Sequence, residues 1–160
     1  MVAIIAGMSE HRATIRWKRT SGDFLAGRYS REHTWTFDGG ATVPASSSPS
    51  VVPVPYSNPA HVDPEEALVA AVSICHMLTY LYLASQKGFE VDSYDDDAVG
   101  VMTKNERAVL WVSSIGLHPR ISYSGNQRQS AAEEEHLHHL AHEQCFIANS
   151  IKTEVTVKAA

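Results

Sequence analysis

The sequence has few of the residues that would indicate a disulfide scaffold, a nucleic-acid surface or an exported protein. Two cysteines among 160 residues are too few for a disulfide framework. A net charge of -5 leaves no positive footprint for nucleic acid. The N-terminal apolar stretch follows no basic residue and is far shorter than the roughly 20 residues of a membrane span. We therefore expect a cytoplasmic protein without nucleic-acid or membrane partners, in which any disulfide is transient and chemical.

Several catalytic signatures are also absent. The sequence has no phosphate-binding glycine loop, nucleophile elbow or dinucleotide fingerprint, so no cofactor is predicted. A length of 160 residues with 44% hydrophobic content is enough for one core, and we predict a single domain over residues 1–160. Five of the seven prolines lie between residues 44 and 59 and predict an irregular connector at 44–60. Connectors of this length are typically functional or wrapping loops.

The N-terminal part alternates in the manner of β-strands. Strands are predicted in "ATIRWKRT" (13–20), in "RYSREHTWTF" (28–37) and in "ATVPASSSP" (41–49). Side chains of a strand alternate between its two faces, so the second run places one set on a common aromatic face: Tyr29, Arg31, His33, Trp35 and Phe37. The sequence thus predicts an arginine on an aromatic surface.

The strongest predicted element is a helix at residues 64–87. Asp63 is its expected N-cap, Pro64 its first residue and Gly88 its stop signal. The middle of the segment, "VAAVSICHMLTYLYLAS", is apolar on nearly every side. Such a pattern predicts a central, largely buried helix.

The C-terminal part predicts two or three strands, a second helix and a last strand. Turns are expected near "KNER" and "LHPR", the helix begins at Ser130, and "IKTEVTVKA" alternates as a strand. Strands therefore come in clusters between two helices. That order predicts an α+β fold.

Both cysteines fall in predicted helices, 70 positions apart, and each is embedded in apolar sequence. Cys75 and Cys145 are therefore either small buried hydrophobic residues or a reactive pair. A nucleophile must be a thiolate, and Cys75 lies too deep in its helix for the dipole to lower its pKa strongly. A nearby cation would be required, and the candidates are Arg28, Arg31 and His76.

Glu65 lies ten residues before Cys75 in the same predicted helix. On a straight helix that spacing is about 15 Å along the axis and about 80° around it. The two side chains are therefore not expected to touch within one chain. Glu65 either compensates the helix dipole or orients a guanidinium, and it would face the sulfur if it came from a partner subunit.

The segment "HLHHLAHEQC" is rich in histidine. His138 and His142 are four residues apart and Cys145 follows three later, so all three lie along one helical stripe. With Cys75 or His76 the stripe could bind zinc. The sequence has no CxxC or HExxH motif, and a solvated polar helix face explains the same cluster at 136–142.

Four segments together resemble the OsmC/Ohr family of thiol peroxidases, in its OsmC-like branch. They are "REHTWTFDGG", "VDPEEALVAAVSICHMLTYLYLASQKG", "YDDDAVGVM" and "LHHLAHEQCFIANSIKTEV", and the resemblance runs from about residue 28 to residue 158. It implies a fold with two long central helices wrapped by antiparallel sheets, in an intertwined homodimer. Active sites at the dimer interface would remove the geometric objection to Glu65.

The resemblance also implies a chemistry. Cys75 would attack a hydroperoxide and become a sulfenic acid, and Cys145 would resolve it as a Cys75–Cys145 disulfide. A dithiol, in this family often a lipoylated protein, would reset the enzyme. The activating pair would be Glu65 and an arginine, for which Arg31 is the first choice and Arg28 the second.

The preferred substrate follows from the residues expected around Cys75. Apolar walls from Leu78, Tyr80 and Phe146 would favour a hydrophobic organic hydroperoxide. The alternative function is a non-catalytic binding or metal-sensing module with the same fold. It would use four residues as its ligands: Cys75, His138, His142 and Cys145.

Overall fold

The computed structural model describes residues 9–127 and 129–158. Eight strands and two long helices follow in the order β1 (Ala13–Arg16), β2 (His33–Phe37), β3 (Thr42–Ala45), α1 (Pro64–Gln86), β4 (Glu90–Asp96), β5 (Val99–Lys104), β6 (Leu110–Leu117), β7 (Pro119–Ser124), α2 (Ala131–Gln144), a 3-10 helix (Ala148–Ser150) and β8 (Glu154–Val157). The predicted α+β class is confirmed. The chain divides into two compact units, one up to Pro64 and one from Glu65 onward. The single-domain organisation stays a prediction.

The first unit is built on the antiparallel sheet β1-β2-β3. The predicted strand at 28–37 is wrong in its first half, because β2 begins only at His33. The backbone N–H of Arg28 donates to Asp23 in a turn (2.9 Å), and that of Arg31 donates to Tyr56 in the connector (2.8 Å). These bonds replace strand pairing, so Tyr29 and Arg31 lie in a loop.

The proline-rich connector is ordered by hydrogen bonds to the end of β3. The Ser46 N–H donates to the Val62 carbonyl (3.0 Å), and the Asn58 N–H donates to the Ser46 hydroxyl (3.0 Å). Ala45 and Ser46 are fully buried. The connector is therefore an ordered segment of the first unit, in which Val51 and Val54 are nevertheless exposed.

Helix α1 confirms the predicted boundaries. Its end is fixed by Gly88, whose φ of +79° is accessible to glycine, and by a bond from the Phe89 N–H back to the Ala84 carbonyl (3.1 Å). By length and composition alone the helix could cross a membrane, with a mean hydropathy of 1.8, a property it shares with core helices of soluble proteins.

The prediction that α1 is buried on nearly every side is wrong for the single chain. Only one stripe of the helix is buried, and we call it the inner stripe: Val72, His76, Tyr80 and Ala84. A second stripe is exposed, and we call it the outer stripe: Ala70, Ile74, Leu78 and Tyr82. Because apolar residues occupy the whole circumference, the sequence did not distinguish the two faces.

The second unit contains two sheets. β4 pairs with β7, and β5-β6-β8 form a three-stranded sheet in which β8 runs parallel to β6. The other pairings between these named strands are antiparallel. The structure has four strands between the helices instead of the two or three predicted, because Asp97 and Ala98 separate β4 from β5. The turn predicted near "KNER" is confirmed. The turn predicted near "LHPR" is wrong, because only His118 separates β6 from β7 and the two strands pair in different sheets.

Helix α2 starts as predicted and ends earlier. Ser130 and Glu133 form a capping box, in which each backbone N–H donates to the other residue's side chain (3.3 and 2.9 Å). The helix ends at Gln144, and Cys145 is its C-cap in an extended conformation (φ -69°, ψ 112°). The prediction that Cys145 lies within the helix is therefore wrong by one residue.

Candidate active site

The two cysteines meet in the second unit. Cys75 projects from the middle of α1 and is partly exposed, whereas Cys145 is completely buried at the end of α2. Both are free thiols, and their side chains hydrogen-bond to each other. A reagent from solvent can therefore reach Cys75, while Cys145 is placed to react with Cys75.

Burial controls the protonation of Cys145. Loss of solvation, followed by the hydrogen bond to Cys75, raises the pKa of the Cys145 thiol to about 11. The N–H of Ala148, at the start of the 3-10 helix, donates to Cys145 Sγ at 3.4 Å and opposes the rise in pKa. At neutral pH Cys145 is consequently a protonated thiol.

Asn149 fixes the turn that carries Cys145. Its side-chain amide donates to the Cys145 carbonyl at 2.9 Å and to the Glu143 carbonyl at 2.8 Å. Its backbone N–H donates to the Cys145 carbonyl as well, at 3.0 Å. The carbonyls at the end of α2 are thereby satisfied, and the sulfur is held toward α1.

A buried histidine pair lies directly beside the cysteines. Nε2 of His76 and Nδ1 of His138 are hydrogen-bonded at 3.0 Å, and the two rings are nearly parallel. Burial lowers the pKa of both imidazoles from 6.5 to about 4, helped at His76 by neighbouring histidines. Both are neutral at pH 7. The sequence analysis missed this pair, although a histidine inside an apolar helix signals a buried hydrogen-bond partner.

Tyr80 extends this polar network into the core. The His138 ring stacks on Tyr80 at 4.3 Å between centroids, and the Tyr80 hydroxyl bonds to that of Tyr123 at 2.6 Å. Tyr80 lies five residues after Cys75, about 140° around the helix. Its predicted role as a wall beside Cys75 is therefore wrong.

The other two predicted walls are on the surface of the single chain. Leu78 is 58% exposed and Phe146 is 73% exposed. Within the single chain both side chains are therefore open to solvent.

The two candidate arginines have different surroundings in the first unit. Arg31 lines an apolar cavity of about 480 Å³ with Trp17, Phe24 and Tyr29, and its guanidinium lies 3.6 Å from the Tyr29 ring centroid. It also donates to the Gly27 carbonyl at 2.9 Å. Arg28 lies on the surface and pairs with the Asp23 carboxylate at 3.3 Å.

Glu65 is half-buried in the first turn of α1, with Oε2 shielded from solvent. It belongs to the second unit and Arg31 to the first, so their pairing stays a prediction.

A metal site is the alternative that the histidine cluster raised. Within residues 9–127 and 129–158, no three His, Cys, Asp or Glu side chains are grouped to hold a metal ion. His76 and His138 instead use one nitrogen each to bind the other. The geometry therefore gives no support to the metal-sensing alternative.

Comparison with known proteins defines the family. The sequence model of the family of OsmC-like proteins matches residues 57–160. A solved OsmC-like protein of unknown function from Vibrio cholerae is 50% identical, covers 96% of this chain and 100% of its own, and superposes with a TM-score of 0.92. The chain therefore belongs to the OsmC-like family.

More distant structures share the fold. An organic hydroperoxide resistance protein from Elizabethkingia anophelis is 16% identical with a TM-score of 0.68, covering 97% of this chain and 96% of its own. One from Legionella pneumophila is 16% identical with a TM-score of 0.63, covering 96% of each chain. No curated protein matches this chain. These two distant structures show that the fold is shared.

Proposed function

We propose that this protein is a thiol-dependent peroxidase that reduces organic hydroperoxides to alcohols. The observation that carries the proposal is the hydrogen-bonded cysteine pair, with Cys75 open to solvent and Cys145 buried behind it. A peroxide from solvent can reach the Cys75 sulfur first. The buried Cys145 sulfur is placed to react with the oxidised Cys75 that results.

The proposed reaction has two steps on the protein. The Cys75 thiolate attacks one peroxide oxygen, the O–O bond breaks, an alcohol leaves and Cys75 becomes a sulfenic acid. Cys145 then attacks the oxidised sulfur, water leaves and a disulfide closes. A dithiol, for which a lipoylated protein is the family precedent, returns both cysteines to thiols.

The apolar cavity of the first unit supports a hydrophobic substrate. Aromatic rings of Trp17, Phe24 and Tyr29 line it, and they would bind an alkyl or aryl group. Cumene hydroperoxide should accordingly be turned over faster than hydrogen peroxide.

Activation of Cys75 is assigned to Arg31 and Glu65. A guanidinium near the sulfur favours the thiolate, and a carboxylate would orient that guanidinium. Burial and the cavity position favour Arg31, since Arg28 is already paired with Asp23 at the surface.

A homodimer is part of the proposal. The outer stripe of α1 exposes Ile74 (52%), Leu78 (58%) and Tyr82 (42%) on one helical face. A contiguous exposed apolar face of this kind is typical of an interface. A second copy of the chain is the proposed occupant, and the protein is proposed to be cytoplasmic.

The first test follows mass during oxidation. One equivalent of cumene hydroperoxide should remove two hydrogens from the reduced wild-type protein, and should add one oxygen to Cys145→Ser. The Cys75→Ser variant is the control and should stay unchanged. An unchanged wild-type mass would withdraw the peroxidase proposal.

The second test separates the two arginines. Arg31→Gln should slow the oxidation of Cys75 by about 100-fold, because the thiolate loses its stabilising cation. Arg28→Gln is the matched control and should react within about twofold of wild type, since its partner is a surface aspartate. Stopped-flow measurement of the first oxidation decides the assignment, and equal losses in both variants would contradict it.

A further inference from the structure

The stripe of His138, His142 and Cys145 on α2 has a chemical use other than metal binding. We propose that His142 accepts the proton of the Cys145 thiol in the step that closes the Cys75–Cys145 disulfide. His142 would thus be the general base of the second half of the reaction.

Two contacts fix the direction in which this stripe faces. His138 bonds to His76, and Cys145 bonds to Cys75, so the ends of the stripe contact consecutive residues of α1. His142 lies between them, about 40° around the helix from His138 and about 60° from Cys145. Its imidazole acts electrostatically on His76, as expected for a ring that faces the same part of α1.

His142 also has the atom that the role requires. Its Nδ1 is buried and has no hydrogen-bond partner among residues 9–127 and 129–158. The Cys145 N–H donates to the His142 carbonyl at 3.3 Å, which keeps the thiol one turn from the imidazole. A buried acceptor without a partner is otherwise an unfavourable arrangement.

The other nearby imidazoles fit the role less well. His76 and His138 are bonded to each other, and a pKa of about 4 makes each a weak base. His139 is exposed and pairs with Glu143 at 3.3 Å. Nδ1 of His76 and Nε2 of His138 are likewise buried without a hydrogen-bond partner, so it is the low pKa of these two imidazoles that argues against them.

The step needs a base because of where Cys145 lies. The thiol is completely buried and its pKa is about 11, so bulk hydroxide at neutral pH is a poor acceptor for its proton. In the peroxidase cycle, on whose proposed function this part rests, the Cys145 S–H and the Cys75 S–O bonds break and an S–S bond forms. The proton passes through His142 to the departing hydroxide, and water leaves without any further oxidant.

Other ionisable groups around the stripe must be kept in view. They are Cys75 and His76 on α1, His138 and Glu134 on α2, with the Glu134 carboxylate 4.0 Å from His138 Nε2, and Asp96 on β4, whose charge acts on both buried histidines. The two buried histidines remain neutral above pH 5. A titration seen between pH 5 and the pKa of Cys145 therefore does not come from His76 or His138.

The test uses thiol exchange in place of peroxide. Dithiobis-nitrobenzoate reacts first with Cys75, which releases one thionitrobenzoate and leaves a mixed disulfide. Cys145 then displaces the second thionitrobenzoate, closing the Cys75–Cys145 disulfide. The rate of the second release reports the deprotonation and attack of Cys145 alone.

His142→Asn keeps an acceptor oxygen near the position of Nδ1 but removes the base. Its second release should be about 100-fold slower than that of wild type at pH 7, the low end of what general-base catalysis contributes. Its first release should be within twofold of wild type, which also shows that the site is folded. His139→Asn is the matched control and should leave both releases unchanged.

The pH profile of the wild type gives a second, independent measurement. With a base present, the second release should level off well below the thiol pKa of about 11. A second release that is as fast in His142→Asn as in wild type, or a wild-type rate that rises tenfold per pH unit up to pH 10, would overturn the proposal. Failure of the peroxidase proposal would show only in the peroxide experiment and leave both releases intact.

Discussion

The two stripes of α1 reverse the usual distribution of residues on a helix. The inner stripe is buried yet carries His76 and Tyr80, which are polar and hydrogen-bonded. The outer stripe is exposed yet apolar, with Ile74 and Leu78 more than half exposed. Core packing alone would favour the opposite arrangement.

The reversal indicates a different task for each face. On the inner side, every polar group needs a partner in the same chain, because an unsatisfied buried group costs about 1–3 kcal/mol. On the outer side, the apolar groups are stabilised only if something covers them. The inner face therefore belongs to the chemistry of one chain, and the outer face to the proposed dimer.

The largest expected effect comes from a charge on the outer stripe. Leu78→Asp should weaken dimerisation by 100-fold or more, because an unpaired carboxylate would be buried in the interface (about 3 kcal/mol or more). Light scattering after size exclusion would show a halved mass. Leu110→Asp, at a leucine that is 52% exposed against 58% for Leu78, is the control and should keep the wild-type mass.

Two outcomes would contradict the proposal that the outer stripe forms a dimer interface. A dimeric Leu78→Asp would mean that the outer stripe is not the contact. A monomeric wild type would remove the dimer altogether, and the outer stripe would then need another partner.

The second largest expected effect is a loss of stability at acidic pH, caused by the buried pair of His76 and His138. The pKa values of His76 and His138 are about 4 in the folded protein and 6.5 ordinarily, so the unfolded chain binds protons first as the pH falls. The free energy of unfolding should therefore decrease between about pH 6.5 and pH 4, by up to about 1.4 kcal/mol per pH unit for each histidine. Urea unfolding at several pH values measures it.

A double variant isolates this contribution. His76→Leu combined with His138→Leu should flatten the pH dependence, because neither protonation site remains. His139→Leu, at an exposed histidine of the same helix, should leave the dependence as in wild type. An unchanged slope in the double variant would contradict the assignment to the buried pair.

The smallest expected effect comes from removing one tyrosine hydroxyl, either from the inner or from the outer stripe of α1. Tyr80→Phe removes a hydroxyl bonded to Tyr123 and should lower the free energy of unfolding by about 1 kcal/mol. Tyr82→Phe removes a hydroxyl from the outer stripe and should change it by less than about 0.5 kcal/mol. Equal losses, measured by urea unfolding, would mean that the inner network does not stabilise the fold.

Local signals predicted the helices well. Pro64 and Gly88 bound α1 because each has a backbone preference that needs no tertiary contact. Ser130 begins α2 because its side chain caps the first turn, which is also a local interaction. The stripe of His138 and His142 follows from helical periodicity alone. Cys145 falls outside the helix because the Asn149 side chain satisfies the final carbonyls and turns the chain.

Long-range packing was beyond the sequence patterns. Nothing in the 70-position spacing brings Cys75 to Cys145, and their pairing was predicted only through the family resemblance. Tyr80 was misplaced because a helix that is apolar all round does not reveal which side meets the core. Arg31 was assigned to a strand because the partner of its backbone N–H is the Tyr56 carbonyl, which lies in the distant connector.

The parallel pairing of β8 with β6 has a consequence for synthesis. Ser114 pairs with Glu154 in this sheet. The pairing of β6 with β8 can therefore form only after the ribosome has added about 40 further residues. Cys145 stands between the two in the chain, in a turn anchored by α2 on one side and by β8 on the other. A nascent chain can thus form α1 and expose Cys75 before the turn that carries Cys145 has been synthesised.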